Sequence, residues 1–81
     1  MRIDKFLKNS RIIKRRTVAK TACETGRVKV NSQIAKPGTD VNIGDIVEVA
    51  FGDKAIKVKV LELIENTSKL SAEKMFKVIE D

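Results

Sequence analysis

Eight basic side chains fall within the first twenty residues of the chain, and they form its densest group of residues that could do chemistry. They are Arg2, Lys5, Lys8, Arg11, Lys14, Arg15, Arg16 and Lys20. An arginine offers a planar fork of donors that matches phosphate oxygens and stacks on bases, and a lysine adds a mobile point charge. A cluster of this kind is typical of a surface that binds a phosphate-rich polymer.

The two parts of the chain differ in the sign of their charge. Residues 1–36 hold eleven Lys/Arg against two acids, Asp4 and Glu24, whereas residues 37–81 hold six Lys/Arg against nine acids. The formal net charge of the whole chain is +6. For any single residue, a solvated cation on a small protein is an equally good interpretation. The sorting of the signs favours a polyanion docked on the N-terminal part.

The sequence lacks the residues that usually form catalytic and metal-binding sites. The chain has no His and one Cys, which excludes metal clusters of the Cys/His type and nucleophiles activated by a histidine. Its four scattered glycines form no phosphate-cradling loop. Asp40 and Asp45 fall in turn-like segments, where Asp is a preferred residue. We therefore expect no catalytic site, no metal and no cofactor, and we expect Cys23 to be a packed, inert thiol.

The length and the hydropathy pattern limit the class of protein. The 81 residues suffice for a single domain, 1–81, with a thin core. The apolar stripes are shorter than those of an interfacial helix, and no run approaches the ~20 apolar residues of a membrane-spanning helix. We expect a cytoplasmic protein whose partners are neither membranes nor small-molecule substrates.

Two short helices are predicted at the N-terminus. Ile3, Phe6 and Leu7 follow the spacing of one helix face, and Asn9-Ser10 breaks that helix. The second helix is predicted from about Lys14 to Thr25. The residues assigned to its apolar side are Val18, Ala19 and Ala22, with Arg15 along the margin of that side. Arg16 and Lys20 are assigned to the opposite side. Gly26 is expected to be the C-terminal cap.

After the second helix the spacing changes to the two-residue alternation of strands. The predicted segments are a strand at Val28–Val30, a turn at 31–33 before Ile34, a strand at 46–51, a hairpin turn at Gly52-Asp53 and a strand at 55–63. These segments indicate an α+β fold, in which two short N-terminal helices pack on a small twisted antiparallel β-sheet.

The C-terminal segment has two interpretations. Ser71 could cap a last helix that turns Met75, Phe76 and Ile79 to the core. Alternatively, a helix is confined to about residues 70–74 and residues 75–79 form a final strand. We favour the strand, because Phe, Val and Ile prefer strands.

Four ordered motifs in the sequence resemble a known family. They are Arg-Ile-Asp-Lys-Phe-Leu at 2–7, Ser-Arg-x-x-Lys-Arg-Arg-Thr-x-Ala at 10–19, Gly-Arg-Val-x-Val-Asn at 26–31 and Ile-Gly-Asp-Ile-Val at 43–47. Their order resembles the RNA-binding domain named after small-subunit ribosomal protein four, here called the S-four domain. The resemblance covers about residues 1–50 and leaves 51–81 as a β extension and tail. It implies the alpha-L motif, in which RNA lies across two helices and the start of a sheet.

A narrower resemblance concerns the free-standing form of the domain. The chain continues through Phe-Gly-Asp-Lys at 51–54 and is similar to the bacterial RqcP group, which is related to heat-shock protein fifteen. It lacks the longer basic tail of that relative and ends in Glu80-Asp81. The resemblance implies a non-enzymatic protein of ribosome-associated quality control. The implied partners are the rRNA of an obstructed large ribosomal subunit, peptidyl-tRNA and an RqcH-type factor that tails the nascent chain.

The matching motif positions assign the residues that face RNA. The first-rank residues are Arg2, Lys5, Arg11, Arg15, Arg16 and Lys20, and the second-rank residues are Lys14, Arg27 and Lys29. Arg16 is the best single choice because it lies near the start of the second helix and away from its apolar face. Asp4 either caps the first helix or holds a neighbouring arginine, such as Arg11 or Arg16, in position. We favour a structural or orienting role, since an acid that faces RNA would repel it.

Three other functions are compatible with the sequence. A general ribosome-assembly or RNA-chaperone factor would use the same basic surface without preferring a subunit that holds tRNA. A helix-turn-helix DNA-binding protein would use the two helices, although the second helix exposes no Asn or Gln to read adenine edges. A protein–protein adaptor would use the acidic C-terminal half.

Overall fold

The computed structural model describes residues 1–79, so the acidic end of the sequence, Glu80 and Asp81, lies outside the described residues. Two helices, four strands, a short helix and a last strand follow one another in the order expected. The elements are α1 (Ile3–Asn9), α2 (Arg16–Glu24), β1 (Val28–Val30), β2 (Gln33–Ile34), β3 (Ile46–Phe51), β4 (Lys54–Val60), α3 (Lys69–Glu73) and β5 (Phe76–Val78). Two N-terminal helices and an antiparallel sheet confirm the predicted α+β fold class.

A short antiparallel contact precedes α1 and determines where the helix begins. The backbone of Arg2 bridges that of Asp40, and the N–H of Ile3 donates to the carbonyl of Thr39 over 2.8 Å. The extended residue Arg2 is therefore held on both sides, by the loop before β3 and by the first turn of the helix. This contact places its side chain at the N-terminal end of α1.

Helix α1 buries one face, as its spacing predicted. Ile3, Phe6 and Leu7 are fully buried. The helix ends at Asn9, and the chain turns through Arg11, whose φ of 63° lies in the left-handed region that residues other than glycine seldom adopt. The predicted break at Asn9-Ser10 is confirmed.

Helix α2 begins at Arg16, two residues after the predicted start at Lys14. Arg15 has an extended backbone, with φ −121° and ψ 135°, and occupies the N-cap position. Its predicted place along the apolar margin of the helix was therefore wrong, because Arg15 precedes the helix. The predicted end is confirmed: Gly26 has a φ of 76°, and its N–H donates to the carbonyl of Cys23 over 3.1 Å.

The buried stripe of α2 is narrower than predicted. Ala19, Ala22 and Cys23 follow the i, i+3, i+4 spacing and are buried. Val18 is 51% exposed, so its assignment to the apolar side was wrong. The two alanines and the cysteine already fill the contact with the rest of the domain, and Val18 stands about 100° round the helix from Ala19.

The sheet has five strands in the order β2-β1-β3-β4-β5, and every neighbouring pair is antiparallel. A two-residue turn joins β1 to β2, with positive φ at both Asn31 and Ser32, which is the geometry of a type I′ turn. Gly52, with a φ of 60°, leads the predicted hairpin turn between β3 and β4. Strand β4 ends at Val60, before the predicted limit at residue 63, because the chain leaves the sheet there for the segment 61–68.

The C-terminal segment contains both a helix and a strand. Helix α3 spans only Lys69–Glu73, and β5 pairs with β4, which confirms the interpretation favoured from the sequence. The helix is capped by Ser68 and not by Ser71. The two serines form a reciprocal capping box, in which the backbone N–H of each donates to the side-chain oxygen of the other.

One core holds these elements together. Its largest fully buried side chains come from α1, from one face of the sheet and from the turn before β5. They include Phe6, Ile3, Leu7, Met75, Val28, Val47 and Val58. The segment 61–68 is fastened to α1 by Asn9, whose buried side-chain amide donates to the carbonyls of Ile64 and Glu65 over 3.0 Å each. Among the residues described, no helix combines the length and the apolar character needed to cross a membrane.

Candidate nucleic-acid interface

The side chain of Asp4 is the fixed centre of the basic surface. It is only 3% exposed, and its two carboxylate oxygens have separate arginine partners. Oδ2 lies 3.2 Å from Nη2 of Arg2, and Oδ1 lies 3.7 Å from Nη2 of Arg16. Oδ1 also accepts a hydrogen bond from the backbone N–H of Lys5 over 2.8 Å. One buried anion therefore joins the first turns of α1 and α2.

Both arginines keep much of their surface toward solvent. The side chain of Arg2 is 51% exposed and that of Arg16 is 50% exposed. Each guanidinium has five N–H donors in a fixed plane, and Asp4 occupies only part of that set. The buried carboxylate reduces the number of orientations that each side chain can adopt, while the remaining donors stay available to an anion.

A shallow concavity of about 290 Å³ surrounds this centre, and we call it the Asp4 face. It is lined by Arg2, Asp4, Arg16, Thr17 and Lys20. Arg16 is the first residue of α2, and Lys20 follows one turn later, so both side chains project from the same side of the helix. Three cations against one anion leave the face positively charged.

The start of α2 adds backbone donors beside this face. The N-cap residue Arg15 makes no side-chain capping hydrogen bond. The first N–H groups of a helix have no partner within the helix, and together with the helix dipole they favour a phosphate oxygen. This end of the helix agrees with the positive character of the Asp4 face.

Lys5 occupies a different environment from the cations of the Asp4 face. Its ammonium group pairs with the carboxylate of Glu65, sixty positions away in the chain. The hydrogen bond and the charge of Lys5 lower the pKa of Glu65. The sequence contained no signal for this pair, because Glu65 lies in an irregular segment whose path over α1 depends on Asn9.

Arg11 and Lys14 lie at the opposite end of α1. They line a second concavity, of about 590 Å³, which we call the α1–α3 cleft. Lys8 and Lys69 line the same cleft. The structure therefore distributes the first-rank and second-rank residues over several places instead of gathering them in one patch, and the Asp4 face and the α1–α3 cleft are two of these places. Lys69 was missed in the sequence because nothing near it in the chain marks a basic cluster.

Arg27 and Lys29 lie away from both concavities. Arg27 is exposed beside an apolar groove that is lined in part by Val18 and Phe51. Lys29 is exposed on β1, where its Cα partner on β3 is Glu48. The structure does not bring these two residues to the Asp4 face.

Cys23 is buried on the inner face of α2, as predicted. Burial, together with the negative charges of Asp4 and Glu24, raises the pKa of its thiol from 9.0 to about 11. A thiol with this pKa is protonated at neutral pH, and the thiolate is the form that reacts. Within residues 1–79, no group of three His, Cys, Asp or Glu side chains is arranged to bind a metal ion.

Comparisons with known proteins agree with this architecture. Residues 1–47 match the family model of the S4 domain, which is the family indicated by the motifs. The chain is 52% identical to the RQC P-site tRNA stabilizing factor of Streptococcus pneumoniae over 81 residues, which cover the whole chain and 92% of that protein. It is 49% identical to the protein of the same name from Listeria monocytogenes, again over the whole chain and 88% of that protein.

A solved structure agrees with the fold. Heat shock protein 15 of Vibrio cholerae, whose structure is described as trimeric, superposes with a TM-score of 0.90 at 26% identity. The match covers 98% of this chain and 81% of that protein. The motifs, the fold and the full-length similarity lead to one assignment: the chain belongs to the S4 domain family and, within it, to the family of the RQC P-site tRNA stabilizing factors.

Proposed function

We propose that this chain is a non-enzymatic RNA-binding protein of ribosome-associated quality control. It binds rRNA and peptidyl-tRNA on an obstructed large ribosomal subunit in the cytoplasm, and it assists an RqcH-type factor in tailing the nascent chain. The observation that carries the proposal is the similarity of the entire chain to proteins named RQC P-site tRNA stabilizing factors. The positive Asp4 face supplies a physical site for such binding.

The chemistry of the Asp4 face supports a phosphate ligand. Arg2 and Arg16 share a buried carboxylate while about half of each side chain stays exposed, and Lys20 adds a charge one turn along α2. Because Asp4 already restrains both guanidinium groups, less side-chain entropy is lost when they bind a phosphate. A contact of this kind positions a protein on RNA without reading its sequence.

Equilibrium binding to four purified nucleic-acid targets tests the proposal. The targets are large subunits with P-site tRNA, large subunits without tRNA, folded rRNA of the small subunit, and duplex DNA, all at one fixed salt concentration. We expect the tightest binding to the large subunit that holds tRNA. Equal affinity for all folded RNAs would contradict the proposal and favour a general RNA chaperone. Tightest binding to the duplex would favour a DNA-binding protein.

A further inference from the structure

The α1–α3 cleft has a volume of about 590 Å³, and its walls come from distant parts of the sequence. Lys8 and Arg11 lie at the end of α1 and in the turn that follows, and Lys14 stands just before α2. Lys69, the first residue of α3, forms the opposite wall. All four side chains are exposed, and Glu73 is the single acid among the residues that line the cleft.

We infer that this cleft binds the backbone of a second stretch of RNA, separate from the stretch that contacts the Asp4 face. The inference rests on the proposed function and deepens it. It assigns Lys8 and Lys69, together with Arg11 and Lys14, to a second phosphodiester site.

The two walls of the cleft are held at a defined distance. The hydroxyl of Thr67 donates to the backbone carbonyl of Asn9 over 2.8 Å, and the Asn9 amide holds the segment 61–68 from the other side. The capping box of Ser68 then begins α3 directly after that contact. Lys69 is therefore placed opposite the end of α1 by contacts that exist without a ligand.

The backbone of Arg11 adopts an unusual conformation directly after the C-terminal cap of α1. Its φ of 63° is left-handed, a conformation that costs a non-glycine residue of order 1 kcal/mol, and its N–H is bound to the carbonyl of Lys8 over 3.0 Å. Glycine or asparagine would adopt this turn at lower cost. An arginine held in that turn, exposed at the rim of a basic cleft, fits a role for its side chain.

The composition of the cleft favours RNA over an acidic peptide. The half-buried ring of Phe76 lies among the cations. A nucleic-acid chain offers phosphates to the four cations and a base to an aromatic ring or a guanidinium plane. The cleft and the Asp4 face share no lining residue and lie at opposite ends of α1, whose seven residues extend for about 10 Å.

Directed hydroxyl-radical cleavage tests this inference. Because Cys23 is buried, an iron–EDTA tether can be attached to a new cysteine in the otherwise natural chain. The variants are Lys69→Cys in the cleft, Lys20→Cys at the Asp4 face and Lys54→Cys at the β3–β4 hairpin as a control. Each tethered variant is bound to purified large subunits that carry P-site tRNA, and cleavage is mapped in the RNA of this complex.

We expect cleavage from Lys69→Cys and from Lys20→Cys at two separate RNA stretches, and none from Lys54→Cys. Cleavage from Lys20→Cys alone would overturn the second site and leave the proposed function standing. Cleavage of the same stretch from both positions would also overturn it. No cleavage from any variant would overturn the proposed function together with the inference.

Salt dependence provides an independent measurement. We expect two variants, Lys69→Ala and Arg11→Asn, each to reduce the slope of log affinity against log salt concentration by about one for the same subunits. Asparagine is chosen at position 11 because it tolerates the left-handed backbone. Lys54→Ala should leave that slope unchanged. Slopes equal to that of the natural protein for both cleft variants would contradict the inference.

Discussion

Oδ1 of the buried Asp4 lies 3.7 Å from Nη2 of Arg16, and this ion pair joins the first turns of two different helices. The arginine is half exposed, whereas the aspartate is almost completely buried. The pair therefore orients the guanidinium of Arg16 and leaves it accessible to solvent, because only the aspartate is buried. The same carboxylate holds Arg2 through its other oxygen, so a single acid prepares two arginines for an anionic ligand.

Arg16→Ala should weaken binding to large subunits that hold tRNA by roughly ten- to a hundredfold. A hydrogen bond to a charged group contributes about 1.5–3 kcal/mol, and ten- to a hundredfold corresponds to the same range. The free energy of unfolding should change by less than about 1 kcal/mol, because the pair is partly exposed. Filter binding and urea denaturation measure the two quantities. Lys54→Ala removes the same charge elsewhere, and an equal loss of affinity in that control would contradict a specific role for Arg16.

Asp4→Asn should weaken binding although it removes a negative charge from the face. Without the carboxylate, Arg2 and Arg16 are free to move, and ordering each side chain when RNA binds costs about 0.5–1.5 kcal/mol. Removing one unit charge about 7 Å from a phosphate gains roughly 0.5 kcal/mol in water-like surroundings. The loss exceeds the gain by about 0.5–2.5 kcal/mol, and affinity should fall roughly two- to seventyfold. The control is Asp53→Asn at the hairpin turn, which changes the net charge by the same amount. If Asp4→Asn bound as tightly as this control, the orienting role of Asp4 would be contradicted.

Local patterns were sufficient to predict most of the fold from the sequence. The buried face of α1, the hairpin at Gly52 and the alternating valines of the sheet depend on neighbours in the chain, and the structure confirms them. Errors occurred at the end of β4, which was predicted three residues too late, and in the first turn of α2. Arg15 adopts an extended backbone before the helix, and Val18 turns outward because two alanines and Cys23 fill the contact.

The distribution of the basic residues over several places was not predictable from the sequence. Asp4 pairs with Arg16, one of the two partners expected for it, but the burial of Asp4 and its second pair, with Arg2, are not revealed by a charge pattern. Lys69 reaches the end of α1 only because Asn9 and the segment 61–68 bring α3 there. The contacts of Asn9 with this segment join residues more than fifty positions apart, beyond the range of helix or strand periodicity.

Asn9→Ala should lower the free energy of unfolding by about 1–3 kcal/mol. The buried amide satisfies two backbone carbonyls, those of Ile64 and Glu65, and its removal leaves them without these donors. Thr67→Val loses one partly buried hydrogen bond and should cost about 0.5–1.5 kcal/mol. Urea denaturation of both variants measures the difference. An Asn9→Ala protein as stable as the natural chain would show that the segment is held by other contacts.

Cys23 should make the protein less stable in alkaline solution. Its pKa is about 11 in the folded state against an ordinary value of 9.0, so between these values the unfolded chain loses a proton that the folded chain keeps. Stability therefore falls as the pH rises from 9 to 11, by about 2 kcal/mol from this group. Because lysines also titrate in this range, the comparison is with Cys23→Ala, which should lose less stability over the same interval. Parallel pH profiles for the two proteins would contradict the assignment.

The most direct test of the central claim is co-sedimentation of the tagged natural protein and of Arg16→Ala through a sucrose gradient of cell lysate at moderate salt. We expect the natural protein to travel with large subunits that carry tRNA, and we expect Arg16→Ala to remain at the top of the gradient. If the natural protein itself remained at the top, the large subunit would be the wrong partner, and the proposed role in ribosome-associated quality control would be contradicted.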